Sequence, residues 1–212
     1  MIVSLNEIES LTLKACRGVG MSWGLAEEAA QAARWLARHS IAWDRSLVML
    51  LSHYTETAPP VLTGQSLVSS RGGAPLCPIH TGTAIADLLD AGDRWTADDV
   101  LQPVWLVPLI LSRRSQQPQL ILRASDETLS LTSGQIAGPL LRLSRVDSIA
   151  RIHVEPGPPN AASIDEGVLE SAPCRVDADA WAKLEGYAAF TYVPASLQSR
   201  ISGAGAGVSD ND

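Results

Sequence analysis

An α+β fold is predicted by three features of the chain. Helical periodicity runs almost without a break from residue 4 to residue 54, and a separately capped helix follows Asp177. Between them, after Gly92, short apolar and β-branched runs succeed one another across polar turns. Strands that follow one another without intervening helices pair antiparallel, so helices and sheet segregate along the chain. The expected architecture is an N-terminal helical hairpin region packed with a mainly antiparallel sheet and a C-terminal helix. Residues 1–57 form the helical region, 58–92 a loop-rich crossing with a short helix, and 93–212 the sheet, last helix and tail. Together they are expected to make one compact unit.

The first helix is set by Ser4-Leu-Asn-Glu7, a capping box in which each side chain satisfies the other residue's amide. Leu5, Ile8, Leu11 and Ala15 then line one face, and Gly18 and Gly20 end it. Ser22 opens a second helix, where Trp23, Ala26, Ala30, Ala33 and Ala37 form a narrow seam suited to close helix packing. A third runs from Ser46 to Tyr54 on Leu47, Val48, Leu50 and Leu51.

Pro59-Pro60, Gly72-Gly73, Pro75 and Pro78 mark residues 58–78 as loop, before a short helix at Thr83–Ala91. Asp98-Asp99 is expected to cap a helix or turn. Strands are expected at Val104–Leu111, Gln119–Arg123 and Glu127–Thr132, with further ones at Leu140–Leu143 and Ile149–Val154. The hairpin joining the middle pair turns at Ser125-Asp126. A polar loop from Gly157, holding Asp165-Glu166, leads to the final strand. Asp177 then caps the last helix, whose apolar face is Trp181, Leu184, Ala188 and Phe190. Pro194 ends it, and Leu197 and Ile201 mark one more short helical piece.

A chain of 212 residues, 46% hydrophobic and 18% charged, has enough apolar material for a real core and too little charge for disorder. The net charge of −7, with only Lys14 and Lys183 among scattered arginines, argues against nucleic acid as a partner. Val104–Leu111 is the most apolar window and is too short to span a bilayer. The start of the chain has no basic region followed by an apolar run, as a secretory leader would. Cys16, Cys77 and Cys174 are odd in number and far apart, which fits free thiols in a reducing cytoplasm.

Two regions hold candidate functional residues. Cys77-Pro-Ile-His80 places a thiol and an imidazole three residues apart in the breaker-rich segment. A nucleophile with its base is one reading and an inert buried thiol the other. A structural zinc needs four ligands, and the remaining candidates, Cys174 and His153, are isolated. No metal and no cofactor are therefore expected. The other region is the C-terminus, where Arg200 precedes Gly203, Gly205 and Gly207, and Asp210 and Asp212 close the chain. The glycines permit close backbone approach to a ligand, with Arg200 and the carboxylates as polar contacts; a frayed terminus is the alternative. A dinucleotide fingerprint is excluded, because its third glycine falls at Val208 and no helix follows. Trp43, between His39 and Arg45, is the one tryptophan read as lining a pocket; the others are read mostly as core.

Gly20-Met-Ser-Trp-Gly-Leu-Ala-Glu-Glu-Ala29, followed by Ala33-Arg-Trp-Leu36, resembles the opening of the bacterial DUF3726 proteins. Tyr192-Val-Pro-Ala195, Ser199-Arg200, Gly203–Gly207 and Asp210-Asn-Asp212 resemble the way those proteins end. The resemblance implies a full-length family member and, since the family has no assigned activity, no reaction. Val3-Ser-Leu-Asn-Glu with the following helix, glycine and Ala-Glu-Glu-Ala helix is also similar to the first helices of type 2 malate/L-lactate dehydrogenases. Those NAD(P)-dependent enzymes carry a histidine soon afterwards that is missing from Ile41–Ser46 here, so dehydrogenase activity does not carry over.

The function expected from these readings is that of a small-ligand- or partner-binding accessory protein in bacterial small-molecule metabolism. It would be cytoplasmic and homo-oligomeric, a dimer, with a small molecule or a partner enzyme as its further partner. The alternatives are an enzyme on a small polar or anionic substrate, with Arg200 on the anion and Cys77 or His80 in acid–base chemistry, and a structural oligomerisation subunit.

Overall fold

The computed structural model describes residues 1–89, 94–112, 119–124, 127–132, 135–137, 140–156 and 174–191. Its elements run in the order β1 (Ile2–Val3), α1 (Leu5–Gly18), α2 (Trp23–Arg38), α3 (Asp44–Ser52), β2 (Pro60–Thr63), β3 (Ser66–Ser69) and α4 (Pro78–Leu88). They continue with β4 (Trp95–Leu101), α5 (Leu106–Ser112), β5 (Gln119–Ala124), β6 (Glu127–Thr132), β7 (Gln135–Ala137), α6 (Leu140–Leu143), β8 (Ser148–Pro156), β9 (Cys174–Arg175) and α7 (Ala178–Ala189). The fold is α+β.

The larger sheet has the order β2-β3-β4-β8-β5-β6-β7. Every pair in it is antiparallel except β3 with β4. On β4 and β8 the paired residues Trp95–Val154 and Ala97–Ile152 are buried, and on the adjacent strand β5 Leu122, paired with Val154, is buried as well. Asp98 and Arg151, paired on the opposite face, form a two-pronged ion pair at 2.5 and 3.0 Å. Alternation of this kind is what a sheet covered on one face requires.

Helix α4 lies over β4, α5 packs on α4, α2 packs on both helices, α1 packs on α2, and α7 packs on α1 and α3. Gly82 allows the α4–α5 contact, since a Cβ there would stand 2.8 Å from the Leu109 side chain. The alanine seam of α2 is buried at Ala26, Ala29, Ala30, Ala32, Ala33 and Ala37, which brings α1 and α2 close. Trp23 does not join that seam: it is 59% exposed, hydrogen-bonded to Glu27 and covered by the Arg17 guanidinium.

The capping box of α1 forms in full: Glu7 N–H donates to Ser4 Oγ at 3.2 Å, and Ser4 N–H to Glu7 Oε2 at 2.7 Å. Asp177 caps α7 by accepting from the amides of Asp179 and Ala180. A second, two-stranded sheet pairs β1 with β9, and the N-terminal ammonium donates to Val176 O at 2.8 Å. The start of α1 is thereby fastened beside the start of α7.

Several expectations are corrected. Val104–Leu111 is not a strand but a 3₁₀ turn at Pro103–Trp105 running into α5. Residues 103–110 are all buried, so no polar face is left to reveal a period, and Pro108 sits in a first turn where its missing N–H costs nothing. Leu140–Leu143 is likewise helix α6, with Leu140 and Leu143 buried one turn apart and Leu141 exposed. The segment read as loop contains the β2–β3 hairpin, turning at Gly64 with φ +60°. A two-residue hairpin turn needs that left-handed geometry, which glycine adopts without strain. Helix α4 starts at Pro78 rather than Thr83, with proline at its favoured first position. Asp98 and Asp99 lie within β4 and cap nothing. Phe190 is 79% exposed and outside the apolar face of α7. The turn at 125–126, the loop with Asp165-Glu166 and the segment around Leu197 and Ile201 lie outside the described residues.

Candidate functional site

The short stretch leading into α4 runs Leu76-Cys77-Pro78. Leu76 is pinned to β4, its N–H donating to Asp99 O at 2.7 Å and its carbonyl accepting from Leu101 N–H at 3.1 Å. Cys77 is the N-cap residue, fully buried, and makes no side-chain cap hydrogen bond. Burial pushes its thiol up in pKa, against the weaker opposing pull of the His80 and Ile79 amides and the Thr57 hydroxyl. A thiol so placed stays protonated at neutral pH, when the nucleophilic species is the thiolate. Cys16, also fully buried, is raised by burial and by its proximity to Cys77.

His80, the third residue of α4, is only partly buried. Its Nε2 lies 3.2 Å from the Tyr54 hydroxyl, the two rings stacked at 6.3 Å between centroids. Burial lowers the His80 pKa, and Tyr54 is pushed up to about 12, mainly by burial and then by the nearby thiols. Both shifts favour the neutral forms, so at neutral pH a neutral imidazole shares a hydrogen bond with a neutral phenol. The Tyr54 segment is held by Thr57, whose hydroxyl donates to Tyr54 O, and by Arg71, which donates to the carbonyls of Thr55, Glu56 and Thr57. The pair is a positioned weak acid and weak base, with Cys77 behind it in the interior.

Trp43 precedes α3 and is 2% exposed, its ring within the core cluster. Its carbonyl accepts from Ser46 Oγ, which in turn accepts from Trp105 Nε1. Arg200, Gly203, Gly205, Gly207, Asp210 and Asp212 lie outside the described residues. Among the described residues no group of three or more His, Cys, Asp or Glu is placed to hold a metal ion.

A groove of about 510 Å³ opens between α1 and α7. The two helices begin side by side at the β1–β9 pairing and meet again near their ends, where Gly18 faces the Tyr187 carbonyl. They therefore run in the same direction, and the groove lies between those two contacts. Glu7, Ser10, Leu11 and Lys14 line it from α1, at the three- and four-residue spacing of one helical face. Trp181, Glu185 and Ala188 line it from α7 at the same spacing. The indole of Trp181 donates to Glu185 Oε1 at 3.0 Å, and Glu7 is fixed by the capping box. The hydrogen bonds from Ser4 hold the Glu7 carboxyl below its usual pKa. The arrangement is an apolar floor of Leu11, Ala188 and the Trp181 ring beneath a charged rim. Its signal in the sequence is the polar stripe bordering the apolar face of α1, which periodicity alone assigns to solvent.

Residues 3–71 match the family model described as Protein of unknown function (DUF3726). The resemblance to DUF3726 holds over the N-terminal helices and the β2–β3 hairpin. The matched span contains the α1 side of the groove and Tyr54, but neither Cys77 nor His80, nor the C-terminal motif that carried the other half of the likeness. No curated protein matches the chain. Among solved structures, the malate dehydrogenase from Entamoeba histolytica is similar at a TM-score of 0.40 and 12% identity, over 61% of this chain. The chain spans 43% of that enzyme's length. A likeness of that size says nothing about activity here. Among the described residues no helix is long and apolar enough to cross a membrane.

Proposed function

We propose that this chain is a small-ligand-binding accessory protein and that the groove between α1 and α7 is its binding site. The observation that carries the reading is the groove itself. Its volume falls within the range of small-molecule sites, and it joins an apolar floor to a few fixed polar groups. Both walls are rigid helices fastened at each end, so the site exists before a ligand arrives, which limits the ordering cost of binding. Free thiols at Cys16, Cys77 and Cys174 support a reducing, cytoplasmic setting.

A native mass spectrum of the gently purified protein tests the reading and gives the subunit count, for which a homodimer is our proposal. Retained mass in the wild type, lost in Ser10→Trp, is the expected result. Ser10 is exposed and lines the groove, so the indole fills the site from outside without entering the core. Retained mass that persists in Ser10→Trp places the ligand elsewhere and overturns the assignment. Truncation after Ser202 in the same experiment tests the proposed contribution of Gly203, Gly205, Gly207, Asp210 and Asp212.

An enzyme acting on a small polar substrate is the second reading, favoured by the Tyr54–His80 pair. In that case His80 is the proton acceptor and Tyr54 its positioning partner, with Cys77 too deeply buried to attack.

A further inference from the structure

We infer that the groove between α1 and α7 takes a small ammonium-bearing ligand with an apolar body, an inference that rests on the groove being the binding site. Charge sets the class. Glu7 and Glu185 reach the rim from different helices and Lys14 is the cation among the described lining residues, so among these two negative charges against one positive leave one negative. A single ammonium balances it, whereas an anion meets two carboxylates.

Geometry points the same way. Each carboxylate is steered by one bond from the fold, Glu7 through Oε2 by Ser4 N–H and Glu185 through Oε1 by the Trp181 indole. A carboxylate has about four acceptor positions on its two oxygens, so the orienting bond leaves capacity for an ammonium. The two acids are preorganised, and the cost of fixing them is already met by the helix cap and the indole. Below them, Leu11, Trp181 and Ala188 are buried at the floor and offer apolar surface to the body of the ligand. The net charge of −7 favours approach of a cation and disfavours approach of an anion.

The isosteric variants separate ligand charge from fold. Glu7→Gln keeps an acceptor for Ser4 N–H, since glutamine serves a capping box as well as glutamate does. Glu185→Gln keeps an oxygen for the Trp181 indole. Each variant therefore removes a charge and spares the local contact.

The experiment is a titration of the full chain followed by the NMR signal of the Trp181 indole N–H, assigned with Trp181→Phe. The probes are phenethylamine, phenylacetate and 2-phenylethanol, which share an apolar body and differ in head group. Phenethylamine is expected to shift the signal and the other two to leave it in place. Glu7→Gln and Glu185→Gln should each weaken phenethylamine roughly tenfold, the effect of losing one charge-assisted hydrogen bond, and added salt should weaken it further. An equal shift with phenylacetate or phenylethanol overturns the ammonium class while leaving the groove as a binding site. A shift with none of the three also overturns it, and the Ser10→Trp mass spectrum then decides whether the groove binds anything.

Discussion

At the scale of single residues, two glycines in similar helical settings have opposite roles. Glycine is a poor helix former, and replacement by alanine in an exposed helix interior stabilises by about 1 kcal/mol. Gly186 is exposed within α7, and a Cβ there meets nothing within 4 Å. Gly18 closes α1 against α7, and a Cβ there would lie 1.9 Å from the Tyr187 carbonyl oxygen. The obstacle is backbone, so no rotamer change relieves it and one helix must move, an overpacking cost of about 1–3 kcal/mol or more. The clash outweighs the propensity gain. Urea unfolding should show Gly186→Ala stabilised by about 1 kcal/mol and Gly18→Ala destabilised by about 2 kcal/mol. Gly18→Ala should also loosen the groove, since it pries apart one of the two points where its walls meet.

At the scale of elements, the same residue type at the same position has unequal effects. Ser4 and Ser22 each stand at the N-cap of a helix, and both have the extended backbone of a cap. Ser4 Oγ accepts from Glu7 N–H, while Ser22 makes no side-chain cap hydrogen bond. Loss of a functioning serine cap costs about 1 kcal/mol. Ser4→Ala should therefore lower the free energy of unfolding by about that amount, and Ser22→Ala by less than about 0.5 kcal/mol. Equal losses in chemical denaturation would mean that the cap bond at α1 contributes nothing net.

The contrast also shows what could be read without a structure. Periodicity and capping located α1, α2 and α7, because each has one apolar and one polar face and a polar residue at its start, while periodicity alone placed α3 two residues late, at Ser46–Tyr54 instead of Asp44–Ser52. They failed at 103–112 and 140–143. There burial is nearly complete or the element is too short, and a period cannot be told from an unbroken apolar run. The β2–β3 hairpin did leave a signal, Val61-Leu62-Thr63 and Ser66-Leu67-Val68 about Gly64-Gln65, but the surrounding prolines and glycines outweighed it. The groove left the weakest trace. Its lining is divided between residues 6–14 and 181–188, which come together through the pairing of β1 with β9 and the packing of Gly18 on Tyr187. The Tyr54–His80 contact likewise spans 26 residues and depends on where Leu76 ties α4 to the sheet.

At the scale of the whole molecule, titratable groups with shifted pKa values set how stability varies with pH. Burial lowers the folded-state pKa of His80 below its ordinary 6.5. A histidine lowered in the folded state binds a proton more readily when unfolded, so its stabilising contribution is complete above 6.5 and is lost as pH falls through that value and below. Asp98 is lowered by its hydrogen bonds and ion pair with Arg151, and Asp177 by Arg45 and the amides it caps. For Glu155, burial alone would raise the pKa, but Arg123 and Arg94 together draw it down. These carboxylates contribute above their ordinary values near 4 and lose that contribution at lower pH. Stability should thus fall in two stages on acidification, the first between about pH 7 and 5 and the second below about pH 4. The first stage belongs to a partly exposed imidazole held against Tyr54, and His80→Gln removes its titration. Urea midpoints measured from about pH 8 to about pH 3 should decline between about pH 7 and 5 in the wild type and stay flat there in His80→Gln, while the decline below about pH 4 persists in both. An unchanged slope in His80→Gln would assign the first stage to another group and mean that His80 takes up its proton equally in the folded and unfolded states.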